Sequence, residues 1–167
     1  ENVWYNEPKT LDTAFDVMGD IILSTAAQQY GGFTVPEVDK ILAPYAKKSY
    51  DRYIEEFMQY SDPSWAGREE KAIERALDKV RRDYDQGWQG IEYKLNTVGS
   101  SRGDYPFVTV TLGLGTGQFE KMCSMSLLAV HKGGQGKEGH KKPVLFPKIV
   151  FLYDEKIHGK GKSCEDV

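Results

Sequence analysis

Cysteine is scarce in this sequence, and so are the features that mark secreted and membrane proteins. Cys123 and Cys164 are the only cysteines, too few for a disulfide framework, which fits a reducing compartment. No run of 18 apolar residues occurs, and the first residues do not join basic charge to an apolar stretch. We therefore expect no membrane span, no signal peptide and a cytoplasmic location.

A basic excess is also missing. The chain has 22 Lys and Arg against 25 Asp and Glu, a net charge of -3 and a pI near 5.7. Because nucleic-acid binders usually carry clustered positive charge, the composition argues against a nucleic-acid partner. Single nucleotides stay possible, since they need only local hydrogen-bond donors. Hydrophobic residues make up 40% of the 167, enough for the core of one domain or of one part of a larger domain.

Helical spacing of apolar residues dominates the region 1–98. The first predicted helix has Thr10 as N-cap and runs to about Gln29, where Gly31 and Gly32 leave helical geometry. The clearest pattern lies at about 66–97, where apolar residues recur every three or four positions. This predicted stripe consists of Ile73, Leu77, Val80, Tyr84, Trp88, Ile91 and Leu95.

A further helix is predicted between these two. Residues 34–37 read Thr-Val-Pro-Glu, a capping box with proline in the first turn, which predicts a helix start at Thr34. Pro44 lies inside the pattern that follows and is expected to kink or break the helix. We expect this helix to end near Tyr60, before Pro63.

The region 99–167 has the character of a βαβ unit. Residues 107–112 are rich in β-branched side chains and predict a strand, and a short helix follows the glycine-rich turn after it. Residues 144–153 form a nearly continuous apolar run, which predicts a second strand, at 148–153, buried on both faces. A crossover helix implies that the two strands are parallel. Since two parallel strands cannot bury both faces alone, we expect further strands from elsewhere.

Two glycine-rich segments invite a phosphate-binding interpretation. Gly113, Gly115 and Gly117 lie between a strand and a helix, where helix N-terminal amides can hold a phosphate. Their spacing is not the dinucleotide-binding one, and a tight strand-to-helix turn is the alternative. Residues 133–137 resemble a P-loop only in composition, because a strand follows instead of a helix and neither Ser nor Thr follows Lys137.

Polar residues near the first of these strands form a second candidate group. Asn96, Ser101 and Arg102 either end a helix in a solvated loop or donate hydrogen bonds at a ligand pocket. Lys47 lies on a mostly apolar helix, where it is either a surface lysine or a phosphate partner. Both interpretations stay open from the residues alone.

No metal site is predicted. His131, His140, His158 and Cys164 fit no known ligand spacing. Cys123 lies on an apolar helix face and is expected in the core, whereas Cys164, near the chain end, is expected to be exposed. The first residue is Glu1 and not methionine, which fits either a trimmed chain or a segment of a longer enzyme.

Several short blocks, in this order and spacing, carry a resemblance to a known family. They are QYGGFT (29–34), LAPY (42–45), LNT (95–97), PFVT (106–109), GLGT (113–116) and FPKIVF (146–151). Together they resemble the large subunit of the anaerobic (class III, glycyl-radical) ribonucleoside-triphosphate reductases, over residues 7 to 167. Separate blocks in register make this resemblance more specific than any single motif.

The resemblance implies a ten-stranded α/β barrel and reduction of ribonucleotides to deoxyribonucleotides. In that family a radical-SAM activating enzyme installs a glycyl radical, which oxidises a barrel cysteine to a thiyl radical. The thiyl radical then abstracts the 3′-hydrogen of the ribose. Deoxynucleotide or ATP effectors bind near helices at the interface of a homodimer. Nucleoside triphosphates, effectors, the activating enzyme and a second copy are thus the implied partners.

The radical residues of that family have no match here. The thiyl cysteine lies in a Met-Gly-Cys context that this sequence lacks, and the glycyl-radical loop, the four-cysteine metal site and the N-terminal ATP-binding region are also missing. The resemblance therefore implies an internal fragment with neither catalytic residues nor its own cofactor. It would supply scaffold, dimer interface and nucleotide-facing surface, and would be inactive alone.

The same resemblance divides the chain and assigns site residues. Residues 1–98 would form the helical dimer and effector side, with Lys47 contacting an effector phosphate. Residues 99–167 would form part of the barrel. The substrate pocket would be lined by Asn96, Ser101, Arg102, Gly115 and Thr116. A non-catalytic nucleotide-binding regulatory module and a helical interaction domain without a ligand are the alternatives.

Overall fold

A computed structural model describes residues 6–29, 31–97 and 106–167. Helices and a small sheet follow one another along the chain. In order they are α1 (Leu11–Gln28), β1 (Phe33–Val35), α2 (Val38–Tyr60), α3 (Arg68–Thr97), β2 (Val108–Leu112), α4 (Gln118–Gly133), β3 (Lys148–Phe151) and α5 (Glu155–His158). The protein is therefore an α/β structure. No helix among the described residues is long and apolar enough to cross a membrane.

The strands form one parallel sheet in the order β1-β2-β3. Val110 of the central strand pairs with Val35 of β1 and with Ile149 of β3. The prediction of parallel strands joined by a helix is confirmed. β1 was not predicted, because three extended residues after two glycines are too few to show a strand period.

The start of α2 differs from the prediction. Thr34 lies in β1 and does not cap a helix, and α2 begins at Val38 with Glu37 as N-cap. Glu37 has a left-handed backbone (φ 45°), and its N–H donates to Thr111 Oγ1 at 2.8 Å. Strand pairing of 33–35 with β2 therefore outweighed the local capping box.

Of the kink or break predicted at Pro44, the break is wrong, since α2 continues through it to Tyr60, and the kink stays a prediction. Pro44 cannot donate to the carbonyl of Lys40, which removes one helix hydrogen bond. α2 buries Leu42, Ala43 and Ala46 around that point and packs against α3 and α4. This packing compensates for the missing bond.

The apolar face of α3 is turned slightly from the predicted stripe. Ile73 is 45% exposed, and Ala72 and Ala76 are buried in its place. From Val80 onward the predicted stripe is buried as expected, and Phe15 of α1 meets Trp88 edge-on with ring centroids 5.1 Å apart. Since α1, α2 and α4 all pack on α3, this helix is the centre of the core.

β3 is not buried on both faces, which corrects the prediction for this segment. Its residues alternate between exposed and half-buried, and Val150 is 44% exposed. β3 is one of the two outer strands of the described sheet, so no described residue pairs with its free side. The predicted boundary at residue 98 lies outside the described residues and stays a prediction.

Candidate functional site

The central strand β2 ends in a turn that we call the glycine loop, residues 113–117. It leads directly into α4 at Gln118 and lies beside the first turn of α2. The carboxyl ends of parallel strands are where α/β proteins usually place ligands. Two of the predicted site residues, Gly115 and Thr116, belong to this loop.

A buried carboxylate holds the glycine loop from the α2 side. The N–H groups of Gly113 and Gly115 donate to Asp39 Oδ2 at 3.1 and 2.9 Å. Asp39 is fully buried, in the first turn of α2. These two amides are thus occupied by a carboxylate of the chain itself and not by a phosphate, which favours the tight-turn interpretation of the glycines.

The carbonyl groups of the same two glycines are occupied by residues near the C-terminal end of the chain. His158 Nε2 lies 2.8 Å from the Gly113 carbonyl oxygen, and Cys164 Sγ donates to the Gly115 carbonyl oxygen at 3.6 Å. Cys164 is 1% exposed, so the prediction that it is exposed is wrong. The C-terminal segment folds back onto the loop, and no sequence period in that segment indicates this.

Glycine is required at two points of the loop for different reasons. Gly113 has a φ of 115°, a backbone conformation that L side chains rarely adopt. At Gly115 a Cβ atom would lie 2.4 Å from Glu120 Cβ and 2.9 Å from Asp39 Oδ2. The loop is therefore shaped to let α2 and α4 approach its backbone closely.

Asn96 joins the end of α3 to the segment before β3. Its Nδ2 donates to the carbonyl oxygens of Glu92 and Phe146, both at 2.7 Å. Its Oδ1 accepts from the N–H groups of Leu145 at 3.0 Å and Phe146 at 3.2 Å. The side-chain amide is thus fully used on backbone groups, and its predicted pocket role stays a prediction.

The other predicted site residues are not drawn together by the structure. Ser101 and Arg102 lie outside the described residues. Lys47 is 56% exposed on α2 and pairs with Asp51 at 2.5 Å, one helical turn later. An exposed pair of this kind contributes well under ~1 kcal/mol, so Lys47 is held only weakly.

Two buried acids were missed by the sequence analysis. Glu92 is fully buried, and its Oε1 lies 2.7 Å from His131 Nδ1. Burial raises the pKa of Glu92, although the contact with His131 acts in the opposite direction. Asp39 precedes Leu42, Ala43 and Ala46 at helical spacing, and Glu92 follows Trp88 by four. An acid at a core position of the helical period was the available signal.

A surface groove of about 300 Å³ lies between the end of α2 and the start of α3. Arg75 stacks on Phe57 at 5.4 Å, and Lys79 stacks on Tyr53 at 4.7 Å. Burial and the hydrogen bond to Asp83 raise the pKa of Tyr53 to about 12. None of the predicted site residues lines this groove.

Comparison with known proteins gives a consistent family. The family model described as anaerobic ribonucleoside-triphosphate reductase matches residues 1–167. Proteins of that name from Enterobacteria phage T4 and Haemophilus influenzae are each 34% identical to this chain, over 94% and 99% of it. The Escherichia coli protein is 32% identical over 99% of the chain.

This chain is short beside those relatives. It spans 24% of the phage protein and 22% of each of the two bacterial proteins. The likeness nevertheless covers almost every residue of this chain. The chain belongs to the anaerobic ribonucleoside-triphosphate reductase family.

Proposed function

We propose that this chain is an internal part of the large subunit of an enzyme that reduces ribonucleoside triphosphates to deoxyribonucleotides. The match of the family model along all of residues 1–167 carries the proposal. The parallel pairing of β2 with β3 supports it, because these were the two strands expected to run side by side in the same direction. The part supplies scaffold, dimer interface and nucleotide-facing surface.

In this proposal the sheet continues into a ten-stranded α/β barrel. β1 and β3 each have one neighbour among the described residues, so both have a free edge for further strands. Leu145 and Val150, before and within β3, are 74% and 44% exposed. Exposed apolar side chains beside a free strand edge support coverage by the rest of the protein.

The radical chemistry belongs to other parts of the enzyme. A thiyl-radical cysteine must reach substrate, and neither Cys123 nor Cys164 fits that role. Both are buried, and burial raises the pKa of the Cys123 thiol, with the nearby Asp39 charge adding to it. The glycyl radical and the radical-SAM activating enzyme that installs it therefore act on residues outside this chain.

The nucleotide contacts are divided between two places. We assign the substrate pocket to Asn96, Ser101, Arg102, Gly115 and Thr116. Gly115 and Thr116 follow the carboxyl end of β2, whereas Asn96 bonds Phe146, just before the amino end of the neighbouring strand β3. Lys47, on the exposed side of α2, contacts an effector phosphate near the interface of a homodimer. Since its pair with Asp51 is exposed and weak, a phosphate can replace it.

In one alternative, the chain is a non-catalytic nucleotide-binding module that binds nucleotide through the same residues and catalyses no reaction. The helical interaction domain has less support, because from Ala72 to Leu95 the apolar face of α3 is already buried in the core. No exposed helical stripe of α3 is left for a partner along that face.

Activity of the full polypeptide that contains this chain tests the proposal. After anaerobic activation by its radical-SAM enzyme, we expect deoxyribonucleotide formation from at least one ribonucleoside triphosphate. Omission of the activating enzyme is the control and should abolish product. Nucleotide binding measured by calorimetry with no product from any of the four triphosphates would refute the reductase assignment and favour the regulatory module.

A further inference from the structure

In the glycine loop, the N–H and carbonyl groups of both Gly113 and Gly115 bond to other parts of the chain. Rather than a phosphate cradle, we propose that the loop is a fixed wall positioned by Asp39, which meets a neutral, hydroxyl-bearing part of its ligand through Thr116. This inference rests on the proposed function, in which the loop lines the substrate pocket. It makes Asp39 a positioning residue and Thr116 the contact.

Two amides of the loop are already bonded to Asp39. A loop that binds phosphate offers free N–H groups to the anion. Here the N–H groups of Gly113 and Gly115 share one oxygen of Asp39, at 3.1 and 2.9 Å. Because Asp39 is fully buried, its carboxylate is not in contact with solvent.

The side chains around the loop carry mainly negative charge. Besides Asp39, the side chain of Glu120 lies against it, since a Cβ at Gly117 would be 2.2 Å from Glu120 Oε2. The nearby cations are already paired, Lys40 with Glu37 and Lys121 with Asp166, both at 2.5 Å. An excess of carboxylates repels a phosphate, whereas a neutral hydroxyl is tolerated.

Thr116 is the residue through which the loop meets its ligand. Gly113 and Gly115 are buried, and their carbonyl groups bond to His158 and Cys164. Thr116 is exposed, and its hydroxyl has no bonding partner among the described residues. The side chain that the loop presents is therefore an uncharged hydroxyl, which both donates to and accepts from a sugar hydroxyl.

Hydrogen bonds fix the start of α2 to the end of β2 and to the loop. Glu37, with its left-handed backbone, donates its N–H to Thr111 Oγ1 at 2.8 Å, two residues before the loop. Asp39 then bonds the loop itself two residues further along α2. These bonds join α2, the end of β2 and the loop, so that Asp39 sets the position of Thr116.

A double-mutant cycle on the full polypeptide tests this positioning role. Asp39→Asn keeps the shape and removes the charge, and Thr116→Val keeps the shape and removes the hydroxyl. We expect each to raise KM for the ribonucleoside triphosphate about tenfold, with a smaller effect on kcat. The double variant should be no worse than the poorer single variant, because Asp39 acts through Thr116.

Asp12→Asn, in the first turn of α1, is the matched control for loss of a helix-start carboxylate, and its KM should not change. The inference would be overturned if the effects of the two substitutions on KM multiply in the double variant, or if Thr116→Val leaves KM unchanged. A general structural role of Asp39 gives the multiplicative result, so the cycle separates the two.

A measurement on the unsubstituted chain does not depend on how the variants fold. We expect through-hydrogen-bond NMR couplings from the Asp39 carboxyl carbon to the amide nitrogens of Gly113 and Gly115. Absence of both couplings would refute the hold of Asp39 on the loop. An inactive but folded parent protein would instead refute the proposed function and the assignment of Thr116 to substrate, and the couplings would still report on Asp39.

Discussion

The glycine loop and the exposed surface around Lys47 both depend on α2, yet they hold their charges in opposite ways. Asp39 is fully buried and bonds two backbone amides, whereas Lys47 is 56% exposed and pairs with one neighbouring side chain. Breaking the first leaves buried donors without a partner, and breaking the second only returns two ions to water. The buried Asp39 therefore fixes the geometry of the loop, whereas the exposed Lys47 can exchange its partner.

The largest effect is expected where the buried carboxylate is removed. Asp39→Ala leaves the amides of Gly113 and Gly115 without their acceptor and should lower the free energy of unfolding by about 3 kcal/mol. Urea denaturation of the chain measures this. Asp51→Ala, on the exposed side of the same helix, should change it by less than ~0.5 kcal/mol. Equal effects of the two would mean that burial does not separate these sites.

A smaller loss is expected where the loop is overpacked. Gly115→Ala places a methyl group against Glu120 and Asp39 and should cost about 2 kcal/mol. Gly90→Ala is the matched control, because no atom lies within 4 Å of a Cβ there. Since alanine favours a helix, Gly90→Ala should raise the free energy of unfolding by up to about 1 kcal/mol. Thermal melts of both variants measure this difference in stability. A Gly115→Ala variant that is more stable than the wild type would contradict the prediction.

Glu92 is expected to make the free energy of unfolding depend on pH. Burial raises the pKa of Glu92 in the folded protein above its ordinary 4.5, so the folded state binds this proton more tightly. The corresponding stability is present below pH 4.5 and is lost as the pH rises through the raised pKa. Wild type should therefore lose stability against Glu92→Gln over that window, by at most about 1.4 kcal/mol per pH unit. Parallel pH profiles of the two proteins would show that Glu92 does not titrate there.

The smallest change in stability is expected at Lys47, which is exposed. Lys47→Ala should alter the free energy of unfolding by less than ~0.5 kcal/mol, because its pair with Asp51 is solvated. In the full protein it should weaken binding of a deoxynucleotide effector about tenfold. Lys71→Ala is the control, since Lys71 forms a similar exposed pair with Glu74. Calorimetry that gives the same dissociation constant for both variants would remove Lys47 from the effector site.

The helices and the parallel strands could be predicted from the sequence because both follow from local periods. Thr10 caps α1 as expected, and α3 and β2 end within a residue of their predicted positions. β1 could not be predicted, since its pairing with β2 joins residues 75 positions apart in sequence, such as Phe33 and Val108. Long-range pairing overrode the capping box at Thr34, which is a purely local signal.

The candidate site was harder to predict for the same reason. The sequence indicated the glycines of the loop, but their partners Asp39, His158 and Cys164 come from distant segments. Asn96 was predicted either to end a helix in a solvated loop or to donate hydrogen bonds at a ligand pocket. Its four bonds go to backbone groups of α3 and of the segment before β3. A residue's type limits which bonds it can make, and only the tertiary fold decides where those bonds go.

Pro44 gives α2 a mechanical character that its unbroken course conceals. Without an N–H at this position, the turn from Lys40 to Pro44 has one backbone bond fewer than its neighbours. That turn separates Asp39, anchored to the loop, from Lys47, open to solvent. The turn that lacks a bond therefore lies between the buried carboxylate that holds the glycine loop and the exposed pair of Lys47 with Asp51.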